Sequence, residues 1–262
     1  MTALLLQGGT TGLASDRLMR HVTPETVAAN AKCDGLWLAR PEYCTLAMGT
    51  NRIMEIRNLA DPANPMVSTL GQARSPALVN DTQLNRNVAD FPDDYSGVML
   101  ATNPVNYRDQ FTIGVAFRAQ INSAKLFETL IGRYDPDDND RAYLALTGSG
   151  NITAVFGDGS PGISAPYVDD TWTVALMAYN GINQLSLSVN GGAWQDRAIA
   201  AEPAVGIDQL RLGFNADGGA TTRGLIDMAT VWNKSLASTA SASDLAEFMQ
   251  MLRAYYSPTI EV

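Results

Sequence analysis

Histidine is almost absent. His21 is the only one in 262 residues. That rules out a metal site built on several imidazoles, and a serine–histidine–aspartate triad anywhere but at that one residue. Cysteine is nearly as scarce, with Cys33 and Cys44 alone. Two thiols are no disulfide framework. They read as reduced and partly buried, with one small closed loop as the alternative. Positive charge is short too, at 18 basic against 27 acidic residues and a net charge of -9. Such a chain repels phosphate and has no Lys/Arg cluster, so neither nucleic-acid binding nor docking on an anionic membrane is expected. No apolar run approaches the ~20 residues that cross a bilayer. The opening MTALLLQGGTTGL holds an apolar patch, Ala3 to Leu6. It lacks the basic leader and long apolar stretch of a secretory signal.

What is present favours strands. The chain is 46% hydrophobic and only 17% charged, enough to bury a core, and it is rich in Thr, Asn, Gly and Ala. The clearest segment is Thr171 to Trp194, TWTVALMAYNGINQLSLSVNGGAW. Apolar residues alternate through Trp172, Val174, Leu176 and Ala178, then through Leu185, Leu187 and Val189. Period-two alternation predicts two strands with one buried face each. Asn180-Gly181 between them predicts a tight hairpin turn. Phe111, Ile113, Val115 and Phe117 alternate in the same way, as do Leu210, Leu212 and Phe214. Further strands are predicted near 36–39, 53–56, 86–91, 96–101, 127–134, 141–147, 151–156 and 223–233. Gly-, Asn- and Asp-rich turns separate the runs. The fold class read from this pattern is all-β, an antiparallel β-sandwich or jelly roll.

Two segments stand outside the strands. Residues 1–34 read as an N-terminal arm, with one weak helical patch near Ser15 to His21 and no periodicity that joins the core. Residues 35–262 form the sandwich. Within it, 58–83 reads as a long loop rich in Asn, Pro, Asp and Ser. A helix is predicted at 243–256, capped by Ser243 or Asp244, with Asp244 and Glu247 at capping-box spacing. Its face carries Leu245, Phe248, Met249, Leu252, Tyr255 and Tyr256, and it closes the sandwich. Trp37, Trp172 and Trp232 fall inside strand patterns and read as core.

Four stretches carry a family resemblance: LWLA at 36–39, SPALVNDTQLNRNVADFPDDYSGVML at 75–100, FTIGVAFRAQ at 111–120 with the Trp172–Trp194 hairpin, and IDMATVWNKSLASTASASDLAEFMQMLRAYY at 226–256. Together they resemble the concanavalin A-like lectin/glucanase superfamily, in the laminin-G-like form common in bacteriophage and microbial surface proteins. This superfold hosts lectins, hydrolases and structural modules, so it specifies no activity. Its hydrolases carry two or three carboxylates alternating on one strand, as retaining glycoside chemistry needs two carboxyls ~5–5.5 Å apart. Here Glu128 stands alone in FETLIG and Asp227 alone in LIDMA. No catalytic residue is expected.

The acidic loop is the best chemical candidate. Asp135, Asp137 and Asn139 have the alternating oxygen spacing of calcium loops, and the resemblance implies calcium at a sheet rim. A solvated turn is the alternative, since the sharp-turn Gly and a later bidentate Glu are missing. Trp194 reads as a sugar-stacking ring or as a cover for the core rim. Asn215 and Asp217 read as acceptors for sugar hydroxyls or as plain turn residues, and the loop Gly157 to Gly162 as a ligand contact or a turn. Asp93-Asp94 and Asp169-Asp170 read as solvated pairs. The expected function is a non-enzymatic virion surface protein, decorating the capsid or associated with the tail. It would assemble in the host cytoplasm as a homo-oligomer with other virion proteins and use a lectin-like module on a host-surface glycan. A free carbohydrate-binding module is the first alternative, and a glycan hydrolase or lyase the second.

Overall fold

In the computed structural model the described residues are 23–68, 71–91, 99–102, 106–121, 127–135, 140–157, 162–199, 209–213 and 224–256. A short helix α1, Pro24–Asn30, comes first. Seventeen strands follow: β1 Gly35–Leu38, β2 Cys44–Leu46, β3 Ile53–Ile56, β4 Met66–Ser68, β5 Ala77–Asp81, β6 Arg86–Phe91, β7 Met99–Thr102, β8 Gln110–Arg118, β9 Phe127–Asp135, β10 Asp140–Thr147, β11 Asn151–Gly157, β12 Ile163–Pro166, β13 Thr173–Asn180, β14 Gln184–Val189, β15 Gln195–Ala198, β16 Gln209–Leu212 and β17 Gly224–Trp232. Helix α2, Ala242–Tyr256, comes last.

Antiparallel pairing builds two sheets. The first has eight strands in the order β15-β14-β13-β8-β17-β6-β5, with β1 on β17; the second has nine, β12-β11-β10-β9-β16-β7-β4-β3-β2. The alternating residues of β8 face the second sheet, where Phe111 meets Phe156 at 5.4 Å between ring centroids and Phe156 meets Tyr179 at 4.4 Å. Leu130, Ile131, Leu144, Leu210 and Leu212 fill the opposite wall. An all-β, antiparallel sandwich is what the alternation predicted.

The outer face of the first sheet carries a second apolar layer. Val27, Ala28 and Ala31 from α1 and just beyond it, Leu36 and Leu38 from β1, Trp172, Val174 and Leu176 on the β13 side, Met228 and Trp232 from β17, and Phe248, Met251 and Leu252 from α2 form one buried cluster. This corrects the reading of the hairpin. Strand β13 is buried on both faces, because Ala175, Met177 and Tyr179 point between the sheets while Val174 and Leu176 point under the helices. Trp37, Trp172 and Trp232 are core residues, as expected.

Three local expectations change. Residues 23–34, read as part of the arm, lie on the sandwich. Thr23 caps α1 by accepting from the Thr26 N–H, Pro24 occupies its first turn, and the Trp232 indole N–H donates to the Ala31 carbonyl at 3.1 Å. Thr-Pro-Glu is a helix-start signal, and it marks this helix; the 15–21 patch lies outside the described residues along with the rest of 1–22. The 58–83 loop contains β4 and β5, both too short for a clear alternation. Helix α2 begins after a 3₁₀ turn, Thr239–Ser241, capped by Ser238. Asp244 is not its cap but an ion-pair partner of Lys234 (2.6 Å) and of Lys32, just past α1 (3.4 Å). The Lys234 hydrogen bond holds the Asp244 carboxyl below its usual range.

Candidate functional site

Pairing of β8 with β13 and with β17 brings three chain reversals to one end of the first sheet. Gln110 opens β8 and lies in register with Asn180 at the end of β13. Trp232, at the end of β17, lies opposite Thr112. The residues just beyond these ends form an open groove of about 370 Å³ lined by Asp109, Gln110, Asn180, Gly181, Ile182 and Asn233. That is the lower range of small-ligand sites.

Each wall is locally specified. The Asn180 carboxamide oxygen accepts from the main-chain N–H groups of Ile182, Asn183 and Gln184 at 2.9–3.0 Å. One side chain thus shapes the whole turn, which spans three residues rather than the two of a tight Asn-Gly hairpin. Gly181 sits at φ 78° with the Gln110 main chain close by, so only glycine fits without strain. The turn presents Ile182 at 76% exposure. Opposite, Asn106 donates from its amide to Asp109 (2.6 Å) and its main-chain N–H donates to the Asn233 carboxamide oxygen (3.3 Å). The Asn233 N–H donates to Asp34 at 2.6 Å. Thr112 ties the following turn down, donating to the Lys234 carbonyl and accepting from the Leu236 N–H.

These bonds leave capacity facing the groove. Among the described residues the Gln110 carboxamide makes no hydrogen bond, and the side-chain NH₂ groups of Asn180 and Asn233 donate to nothing. Carboxamides offer donors and acceptors together. With the Asp109 carboxylate and an exposed aliphatic side chain, they suit a ligand with many hydroxyls and one apolar face.

The residues singled out from sequence lie elsewhere. Trp194 is half-buried and packs against the outer apolar layer. Asp135 is the last residue of β9; Asp137 and Asn139 lie outside the described residues, as do Asn215, Asp217, the loop 158–161 and Asp93-Asp94. Asp169 and Asp170 are not simply solvated. Asp169 accepts from the Ile121 N–H and Asp170 pairs with Arg118 at 3.4 Å. No group of three or more His, Cys, Asp or Glu side chains suited to a metal occurs among the described residues. Both cysteines are free, and burial pushes each thiol up to about 12. Glu128 is in the second sheet, and Asp227, in the first, turns its carboxylate to Arg40, Arg86 and Tyr256. The groove itself was not legible in the sequence. Its residues are scattered over 109–233, and Asn180-Gly181 was its one local signal.

Residues 92–240 match the Laminin_G_3 family, described as concanavalin A-like lectin/glucanases superfamily. The chain belongs to this superfamily. Comparison with the sequences of curated proteins finds no match. Among solved structures the chain is similar to the binding domain of botulinum neurotoxin serotype G, with 11% identity, a TM-score of 0.58, and coverage of 83% of this chain and 51% of that one. It is similar to the binding domain of Paraclostridial Mosquitocidal Protein 1, with 13% identity, a TM-score of 0.56, and coverage of 86% and 53%. It is also similar to Trypanosoma rangeli sialidase in complex with sialic acid, with 13% identity, a TM-score of 0.56, and coverage of 83% and 32%. The chain therefore spans about a third of the sialidase and about half of the toxin domains. At such identity the likeness is one of fold: a lectin-like jelly roll.

Proposed function

We propose that this chain is a non-enzymatic, lectin-like module that holds a neutral glycan in the groove at the end of the first sheet. The observation that carries the reading is the free Gln110 carboxamide, with the NH₂ groups of Asn180 and Asn233 that donate to no described residue, around an exposed Ile182. The superfamily and the likeness to domains titled as binding domains support it. The Asp109 carboxylate and the net charge of -9 favour a neutral sugar over an anionic one.

The test is titration calorimetry with neutral oligosaccharides chosen from a glycan array. Gln110→Ala removes a side chain that makes no internal hydrogen bond, so the fold is kept. Losing one net hydrogen bond of ~0.5–1.5 kcal/mol predicts binding about 2–10-fold weaker. Ile182→Ser should weaken it further. If both variants bind like the parent, the groove is not the site.

Absence of catalysis has its own support. Asp227 is fully buried in an ion pair, and the other carboxylate on the Glu128 strand, Asp135, stands at its far end. Incubation with β-glucans, galactans and capsule polysaccharides is expected to release no reducing ends. Turnover lost on Glu128→Gln would reverse the reading.

The proposed setting is a virion surface, where many copies raise the avidity of a weak site. The sequence resemblance to phage surface proteins supports this. Deleting residues 1–22 is expected to leave a folded sandwich that no longer enters particles, whereas deletion through residue 34 also strips Val27, Ala28 and Ala31 from the outer apolar layer. Normal incorporation of the shorter truncation would remove the anchoring role.

A further inference from the structure

A sheet edge is a template for another strand unless the protein blocks it. Most edges of this sandwich are blocked by its own chain. Strand β15 is exposed but reads Gln195-Asp196-Arg197-Ala198, and its charges oppose pairing. Strand β12 ends in Pro166, and Arg197 donates to the Gly162 carbonyl just ahead of it at 3.1 Å. Strand β5 is covered from outside: the Ile53 N–H donates to the Pro76 carbonyl and the Leu78 N–H to the Asn51 carbonyl, at 2.8 and 2.7 Å. The outer side of β1 is closed by Asn58 and Leu59.

Strand β2 is different. It ends the second sheet, and among the described residues only β3 pairs with it. The Tyr43 carbonyl accepts from the Arg57 N–H. Alternation then turns the Thr45 main chain toward β3 and leaves the N–H and C=O of Cys44 and Leu46 facing out. From Tyr43 to Asn51 no residue is charged, and β2 holds no proline. The edge itself presents apolar side chains: Leu46 is 38% exposed and Met48 98%. Cys44, on the inward face, packs on the core between the sheets.

We infer that β2 is the contact by which two copies of this chain form a homodimer, pairing antiparallel so that the second sheet runs on into its partner. A second copy fits for two reasons. An uncharged edge is where two molecules of net charge -9 meet without like charges in register. A twofold axis at Thr45 sets Cys44 of one copy against Leu46 of the other, twice, so that each open edge pairs with the other in an isologous contact. The groove residues come from β8, β13 and the turns beyond β13 and β17, so both grooves stay open. The inference does not depend on what the groove binds.

Sedimentation equilibrium of the full chain at micromolar concentration is expected to give a dimer. Thr45→Lys sets two like charges face to face and should weaken the dimer at least about tenfold. Ala198→Lys, on the β15 edge, should leave it unchanged. Thr45 is the non-hydrogen-bonded pair of the new ladder, the close pair that a disulfide spans. Thr45→Cys, with Cys33 and Cys44 replaced by serine, should therefore cross-link two chains on mild oxidation, and this result does not require the lysine variant to fold. A monomeric parent chain overturns the inference and leaves the edge to a strand of another protein. A dimer untouched by Thr45→Lys, or a folded Thr45→Cys variant that does not cross-link, overturns it as well. Because the readout is mass, failure here is separate from failure of the sugar-binding reading.

Discussion

Replacing Asp227 with alanine is expected to lower stability by about 3–5 kcal/mol in denaturant titration. Asp227 lies where the β17–β8 register shifts between Ile226 and Met228, and its side chain is fully buried. Its Oδ2 accepts from Arg86 Nη2 at 2.6 Å and from the Tyr256 hydroxyl at 2.7 Å, and Arg40 Nη2 stands 3.9 Å away. Arg86 also donates to the Tyr255 carbonyl at the end of α2 (2.8 Å), and both arginines stack on Tyr255. The arginine side chains are only 12% and 19% exposed. Without Asp227 two buried cations lose their counter-charge, which is the costly way to break such a network. A loss under about 1 kcal/mol would show that the network is not needed to seat α2. The same cluster sets a pH limit. Burial, then the Asp227 charge and hydrogen bond, raises the Tyr256 pKa well above the usual value of 10.0. A raised folded pKa means that the native state holds the proton more tightly. The Tyr256 contribution to stability is therefore full below pH 10.0 and falls as pH rises beyond it. Tyr256→Phe should remove that share of the alkaline slope and leave the share of the two buried thiols, which begins above pH 9.0.

Phe248→Ala is expected to cost about 3–5 kcal/mol. The ring is fully buried and meets Trp232 edge-on, with centroids 4.8 Å apart and planes at 83°. Leu252 and Met251 lie beside it in the outer layer. Deleting the ring opens a cavity between α2 and β17 that the strand cannot follow, because its other face is packed against the second sheet. If α2 belongs to the same cooperative unit, the transition stays single and moves as a whole. A change below about 1 kcal/mol would mean that α2 only rests on the sheet.

Much of the scaffold was legible because its signals are local. Alternation at Phe111–Phe117 and Leu185–Val189, and turn residues at 148–150, 180–181 and 190–192, mark strands whatever they pair with. The apolar spacing from Leu245 to Tyr256 marks a helix in the same way, although Met251 was not counted on its buried face. Trp37 and Trp232 fall in strands and Trp172 just ahead of β13, and all three are buried, since burying such rings removes a large apolar surface from water. The five strands β2, β4, β5, β12 and β15 were missed, since three to five residues carry too little periodicity to register.

Tertiary structure alone decided which layer covers each face. Alternation along β13 reports a period of two and cannot say that Val174 and Leu176 meet a helix about 70 residues later while Met177 meets the other sheet. The groove has the same origin: Asp109, Asn180 and Asn233 are separated by more than 50 residues each and become neighbours only because β8 pairs with both β13 and β17. So does the buried charge cluster, in which Arg40, Arg86, Asp227 and Tyr256 look like ordinary residues until a register shift and a helix end bring them together. Local sequence sets propensity, period and turn geometry. Which surfaces meet, and so which polar groups are left facing a groove or an edge, follows from long-range pairing that no window of the chain contains.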